Sequence, residues 1–209
     1  GYFMTGAFYA KYNPVRYFTS LITFSKGRTK NYQLYFKHNL VPFGEYFPLS
    51  FITDRIMKML DISFSNLTPG PYYSHPVSID TYKVTPLLCF DAAFPHYVSE
   101  NTKHSQAIIL ASDDSWFDSS SALDQQLQIA QMRALETGRY VLSTNNSGHT
   151  AIINQHGVIT QEIPALKPGF LVGTFRKAYG QTPFMQWGIY FDFVLILIML
   201  TLGALPFHR

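Results

Sequence analysis

Apolar residues in this chain fall in short runs separated by turns, and the period of each run predicts an element. Residues 17–25 (YFTSLITFS) mix β-branched and aromatic residues with small polar ones and predict a strand, closed by the turn Lys26-Gly27-Arg28. A second strand is expected around 31–36 and a short helix at 54–60. The Ser-, Pro-, Gly- and Tyr-rich residues 62–79 read as a long loop, a length typical of lids and binding loops. Further strands are expected at 83–89, 106–112, 139–145, 149–154 and 158–163, with Gln155-His156-Gly157 as a hairpin turn, and a last strand at 169–175. Residues 122–137 have a helical pattern. Ser121 and Asp124 resemble a capping box at its start, and Gly138 is a good stop. Many strands with a few interleaved helices predict an α/β sandwich over residues 1–180.

The end of the chain has a different pattern. Residues 188–207, GIYFDFVLILIMLTLGALPF, carry Asp192 as their single charge. Twenty helical residues at 1.5 Å each would span about 30 Å, the thickness of a bilayer core. Trp187 and Tyr190 stand at one end as interfacial anchors, so a transmembrane helix over 188–207 is expected rather than a core helix. Arg209 assigns its far end to the cytoplasmic side and the main domain to the opposite side.

Composition agrees with a membrane setting. Aromatic residues make up 16% of the chain and charged residues 14%, the latter below the roughly 25% of ordinary soluble domains. Residues 1–44 contain Lys11, Arg16, Lys26, Arg28, Lys30 and Lys37 and no acid. A surface of that kind attracts anionic headgroups, by about 1 kcal/mol for each basic residue near the bilayer. No nucleic-acid-binding motif accompanies the charge. A single cysteine excludes an internal disulfide and a cysteine-cluster metal site.

That cysteine, Cys89, ends the apolar run Val84-Thr85-Pro86-Leu87-Leu88 and precedes a segment able to start a helix. At a strand-to-helix turn, the positive end of the helix dipole favours thiolate, the nucleophilic form. A lone cysteine is also ordinary packing material, and the run itself leaves both readings open. A second dense stretch runs from Lys37 to Pro48, KHNLVPFGEYFP. Its lysine is either a donor to a developing oxyanion, oriented by Glu45, or a plain surface residue beside a turn glutamate.

Taken together, Lys37…Leu40-Val41-Pro42-Phe43-Gly44-Glu45 and Leu88-Cys89-Phe90-Asp91 resemble the carbon–nitrogen hydrolase (nitrilase) superfamily, and within it the bacterial apolipoprotein N-acyltransferases. Ser112-Asp113-Asp114-Ser115-Trp116-Phe117, Met132-Arg133-Ala134-Leu135-Glu136 and Ser143-Thr144-Asn145-Asn146-Ser147-Gly148 follow in the family's order. The resemblance implies a nitrilase-like αββα sandwich, incomplete at its N-terminal side, followed by the membrane helix. It implies Cys89 as nucleophile, Lys37 as stabiliser of the transition state and Glu45 as supporting acid, flanked by Phe90 and Asp91, with no cofactor and no metal. The implied reaction moves an acyl chain from a membrane phospholipid, through a Cys89 thioester, to the amino group of a diacylglyceryl-cysteine lipoprotein. Its setting is the periplasmic face of a bacterial inner membrane.

The family's general-base glutamate lies before its lysine, whereas no acid precedes Glu45 here, so the chain alone is expected to be inactive. Phe90 and Asp91 stand where the family often has Tyr and Glu, Asp113 where it has Asn, and Gln126 where a histidine is common. The alternatives are an amidase acting on a small C–N substrate, which has no need of a membrane span, and a non-catalytic membrane-anchored relative.

Overall fold

The computed structural model describes residues 1–48, 66–118 and 120–204; the helix expected at 54–60 lies outside them. Two sheets form the scaffold. The first is an antiparallel meander, β1 (Tyr2–Lys11), β2 (Arg16–Ser25) and β3 (Arg28–Phe36), with β2 in the centre. The second runs β4 (Val77–Ile79), β5 (Tyr82–Leu88), β6 (Ala107–Ser112), β7 (Tyr140–Asn145), β8 (Thr150–Ile153) and β9 (Ile159–Ile163) in that spatial order. Only β5, β6 and β7 are parallel neighbours; the outer pairs are antiparallel. The parallel connections are made by two helices, α1 (Pro95–Thr102) and α2 (Ala122–Thr137).

Alternation along the central strands explains the layering. On β5, Leu87 joins the cluster formed with α1 and α2 through Tyr97, Val98, Ala130 and Ala134, while Leu88 faces Leu21 and Tyr35 of the first sheet. On β6, Ile108 and Leu110 face the helices and Ala111 packs toward the other sheet. Successive side chains point to opposite faces. A strand buried on both faces therefore reads as a continuous apolar run, as 107–111 does. The described residues thus make three layers, helices on sheet on sheet, in which the parallel strands β5, β6 and β7 end on a common edge.

Several expectations hold in detail. Gly27 (φ 74) turns β2 into β3, and Gly157 (φ 74) turns β8 into β9. Gly138 ends α2 in the left-handed conformation, its N–H bonded to the Ala134 carbonyl. Other expectations are corrected. Ser121 makes no capping bond; the Asp124 carboxylate instead meets His149, 3.0 Å away. Residues 169–175 form no strand. Gly169 and Gly173 lie against Ile163 and Ile152, where a Cβ would collide, so the segment runs as a strap over β8 and β9. The loop expected at 62–79 contains β4 at its end, and β1 was not foreseen.

The largest correction concerns the C-terminus. Helix α3 (Pro183–Ala204) is broken at Gly188, whose φ of 37° and ψ of −121° are not helical. Before the break, Met185 is buried and Phe184 stacks on His96 of α1. Beyond it, residues 189–204 amount to about 24 Å of helix at 1.5 Å per residue, and side chains from Phe193 to Leu202 are exposed. Among the described residues no helix is long and apolar enough to cross a membrane, so the span expected at 188–207 is not supported.

Candidate active site

Cys89 is the first residue past β5 and opens a short 3₁₀ helix, Cys89–Ala93, that leads through Phe94 into α1. Its φ is +45°, a left-handed conformation that costs a non-glycine residue about 1 kcal/mol or more. The sharp turn leaves the thiol at the carboxyl edge of the sheet, with Leu88 paired to Ala111 in the neighbouring strand. The thiol is half-buried. Desolvation pushes its pKa up, against the Lys37 charge and the Phe90 N–H, which pull it down; the Asp114 and Glu45 carboxylates push it further up. The local N–H favours thiolate, the direction expected at a strand-to-helix turn, but burial outweighs it.

Lys37 follows β3 directly and is 3% exposed, so it leaves the basic surface counted from the sequence. Its ammonium donates to Glu45 Oε2 at 2.6 Å. That carboxylate is fixed from two more sides: Val41 N–H donates to Oε2 at 2.8 Å and the Thr19 hydroxyl to Oε1 at 3.2 Å. The turn holding Glu45 closes on itself through Glu45 N–H to the Val41 carbonyl and Phe43 N–H to the Tyr46 carbonyl. The chain can pass behind Lys37 only because position 70 is glycine: the Gly70 N–H donates to the Lys37 carbonyl, and a Cβ there would strike Phe36. An ammonium has three protons and Glu45 takes one, so the others can serve an oxygen in front of Cys89.

Asp91 ties the two segments together. Fully buried, it accepts from the Tyr35 hydroxyl at 2.7 Å, from the Asn39 N–H at 2.8 Å and from the Leu88 N–H at 3.3 Å. One carboxylate thus holds β3, the Lys37 loop and the cysteine turn in register. Burial raises its pKa; the Asn39 N–H, the Tyr35 hydroxyl and the Lys37 charge oppose that shift. Phe90 makes an edge contact with Phe94 at 5.1 Å. Asp91 and Phe90 are therefore supports of the turn.

The residue that sequence reasoning missed is Asp114. Asp113, the charge that stands where the family has Asn, is exposed and bonded to Ser115 and Asn146. Asp114 is fully buried, bonded through Oδ2 to the Asn145 amide, and its charge acts on Cys89. Both motifs, 112–117 and 143–148, were visible in the sequence; that they meet was not. Parallel pairing of β6 with β7, Ser112 opposite Asn145, brings them together. Among the described residues no group of three or more His, Cys, Asp or Glu side chains is placed to hold a metal ion.

Comparison with known proteins agrees with this architecture. Residues 2–183 match the carbon–nitrogen hydrolase family. The chain is 40% identical over 204 residues to an apolipoprotein N-acyltransferase of Coxiella burnetii, covering 97% of this chain and 41% of that protein. It is 33% identical over 175 residues to the apolipoprotein N-acyltransferase of Pseudomonas aeruginosa, covering 84% of this chain and 34% of the relative. The chain therefore spans 34–41% of the length of these relatives. Two solved structures share the fold at low identity. One is a carbon–nitrogen hydrolase from Helicobacter pylori G27 (TM-score 0.56, 15% identity, 77% of this chain and 57% of that one). The other is an amidase from Nesterenkonia sp. (TM-score 0.58, 16% identity, 80% and 58%). With a strand-to-helix cysteine, a buried lysine–glutamate pair and a family match over most of its length, this chain belongs to the carbon–nitrogen hydrolase family and is a homologue of the apolipoprotein N-acyltransferases.

Proposed function

We propose that this chain carries the thiol half of an N-acyltransferase, which takes a fatty acyl chain from a membrane phospholipid and passes it to the N-terminal amine of a diacylglyceryl-cysteine lipoprotein. The observation that carries this reading is the buried Lys37–Glu45 pair, 2.6 Å apart, whose lysine charge reaches a thiol held at a strained turn. In the first half-reaction Cys89 sulfur attacks the ester carbonyl. A C–S bond forms, the ester C–O bond breaks, and the lysophospholipid leaves with the proton given up by the thiol. Lys37 donates to the oxyanion that develops between these events, and Glu45 holds the lysine in place. In the second half-reaction an amine displaces the thiol.

The reading sets the work at the periplasmic face of a bacterial inner membrane, where both substrates reside. The family resemblance assigns the first proton to a glutamate ahead of the lysine; residues 1–44 hold no acid, so the isolated chain is expected to be inert. The test is Cys89→Ser in the protein as its gene encodes it, assayed with phospholipid and a diacylglyceryl peptide. Acyl transfer and the acyl adduct on the Cys89 peptide should both vanish while the fold persists. Full transfer by the serine variant overturns the assignment.

A further inference from the structure

We propose that Asp114 is the recognition group for the acyl-accepting amine: its buried carboxylate, clamped by Asn145 beside Cys89, receives the incoming ammonium. The proposal rests on the acyl-transfer reading above and assigns that reaction's acceptor selectivity to one side chain.

Asp114 follows β6 by two residues, on the edge where Cys89 follows β5. One carboxylate oxygen, Oδ2, is held by the Asn145 amide. Asn145 is itself fixed, its own side-chain oxygen accepting the Ser147 and Gly148 N–H groups at 3.2 and 2.9 Å. The Asp114 N–H donates to Asn146 Oδ1 at 3.1 Å. A Cβ on Gly148 would fall 2.5 Å from both the Asn145 amide nitrogen and Asp114 Oδ2. The backbone thus closes around this carboxylate on one side. The other oxygen, Oδ1, is buried and has no hydrogen-bond partner among the described residues. A fully buried carboxylate oxygen without a donor is rare in a folded protein and needs an explanation. A ligand that brings the donor is one.

The charges around the thiol point to a cation. Lys37 and Glu45 neutralise each other at 2.6 Å. Asp114 is the further carboxylate whose field acts on Cys89, so that among the described side chains whose charges act on the thiol, carboxylates outnumber ammonium groups. Asp113 and His149 also act on Asp114, with opposite signs. A neutral donor can satisfy Oδ1 but leaves the carboxylate charge uncompensated, and an anion does neither, whereas a primary ammonium supplies both the missing donor and the compensating charge. Burial, the largest influence, also raises the proton affinity of this carboxyl, which suits a group that must take a proton from the amine.

The chemistry balances as follows. The ammonium gives one proton to Asp114 and becomes an amine. Its lone pair attacks the thioester carbonyl, a C–N bond forms and the C–S bond breaks. The thiolate of Cys89 takes the second proton from nitrogen. Asp114 then returns the first proton to water. One amide, one thiol and one released proton result from one ammonium and one thioester.

The experiment uses two thiol reagents of similar size, 2-aminoethyl methanethiosulfonate and its neutral 2-hydroxyethyl counterpart. Each forms a mixed disulfide with Cys89 and expels sulfinate. The ratio of their rate constants cancels any change in thiolate fraction, since both meet the same thiol. The cation-to-neutral ratio should fall about tenfold in Asp114→Asn, the loss of one charge-assisted hydrogen bond. Asp113→Asn removes the same charge from an exposed position and should leave the ratio nearly unchanged. An unchanged ratio in Asp114→Asn, or an equal fall in Asp113→Asn, overturns the proposal.

If Asp114→Asn does not fold, the wild-type protein decides. Ethylammonium should slow the neutral reagent where the same concentration of propanol does not, and equal effects overturn the proposal. None of these measurements needs an acyl donor. A protein that shows the charge selectivity but forms no thioester refutes the acyltransferase and keeps the ammonium site; the reverse result refutes only the site.

Discussion

A half-buried thiol that has to ionise depends on the few charges able to reach it. For Cys89 these are Lys37, which favours thiolate, and Asp114 and Glu45, which oppose it while burial raises the pKa overall. Alkylation by a neutral haloacetamide should therefore show a midpoint above that of an ordinary thiol. Lys37→Met should move the midpoint higher still and slow the reaction at fixed pH, while Glu45→Gln should move it lower. If both substitutions shift the rate the same way, the charges act through the fold rather than on sulfur. Cys89, Lys37 and Glu45 stood out in the sequence through their resemblance to the carbon–nitrogen hydrolase motifs, since their own runs leave packing and chemistry both open. Asp114 did not, since its burial follows from a strand register that no local pattern encodes.

Among the elements, the turns were the most readable parts, because left-handed backbone demands glycine and the demand is visible in one letter. Gly138 is the clearest case, at φ 62° with the Thr182 methyl 3.0 Å from where a Cβ would lie. Gly138→Ala should destabilise the fold by about 1 kcal/mol, measured by urea denaturation. A change within error would mean that the end of α2 rearranges freely. Strands were less readable at the margins. Tyr2–Lys11 carries Gly6, Ala7 and Ala10, residues depleted in strands, and becomes one by pairing along its whole length with β2. Residues 169–175 have strand composition but lie across β8 and β9 without a ladder, since the space beneath Gly169 and Gly173 is filled by side chains. In 188–207 the apolar count predicted a span, whereas Gly188 at its start is non-helical and no helix among the described residues is long and apolar enough to cross a membrane.

At the scale of the whole molecule, burying carboxyls between layers leaves a mark on stability. Burial raises the pKa of Asp91, Asp114 and Glu136 alike. Each binds its proton more tightly in the folded chain than in the unfolded one. The stability this gives is complete below the ordinary carboxylate value and is lost as pH rises through the raised one. Asp113, whose pKa is lowered mainly by its bond from Ser115, acts in the opposite sense and is lost on acidification. Denaturation midpoints should therefore fall as pH rises above the ordinary carboxylate value, and fall less in Asp114→Asn. A variant whose pH profile overlays that of the parent would place the Asp114 proton elsewhere. The α/β sandwich was legible as a class, since most strands show in their own runs, although β1 and β4 do not and 169–175 forms none. The spatial order of the strands was not, because pairing between distant strands leaves no trace in either one alone.

The left-handed turn at Cys89 bears on how such a residue persists. Alanine at that position keeps the Cβ that the turn disfavours, whereas glycine removes it. Cys89→Gly should therefore be more stable than Cys89→Ala by about 1 kcal/mol, the reverse of the order at ordinary positions. Folding by itself gives no preference for cysteine here and tolerates the residue that abolishes the chemistry. Among drifting descendants of this sequence, retention of Cys89 is then a record of selection on reactivity, and its replacement by glycine would mark lineages in which that selection has lapsed.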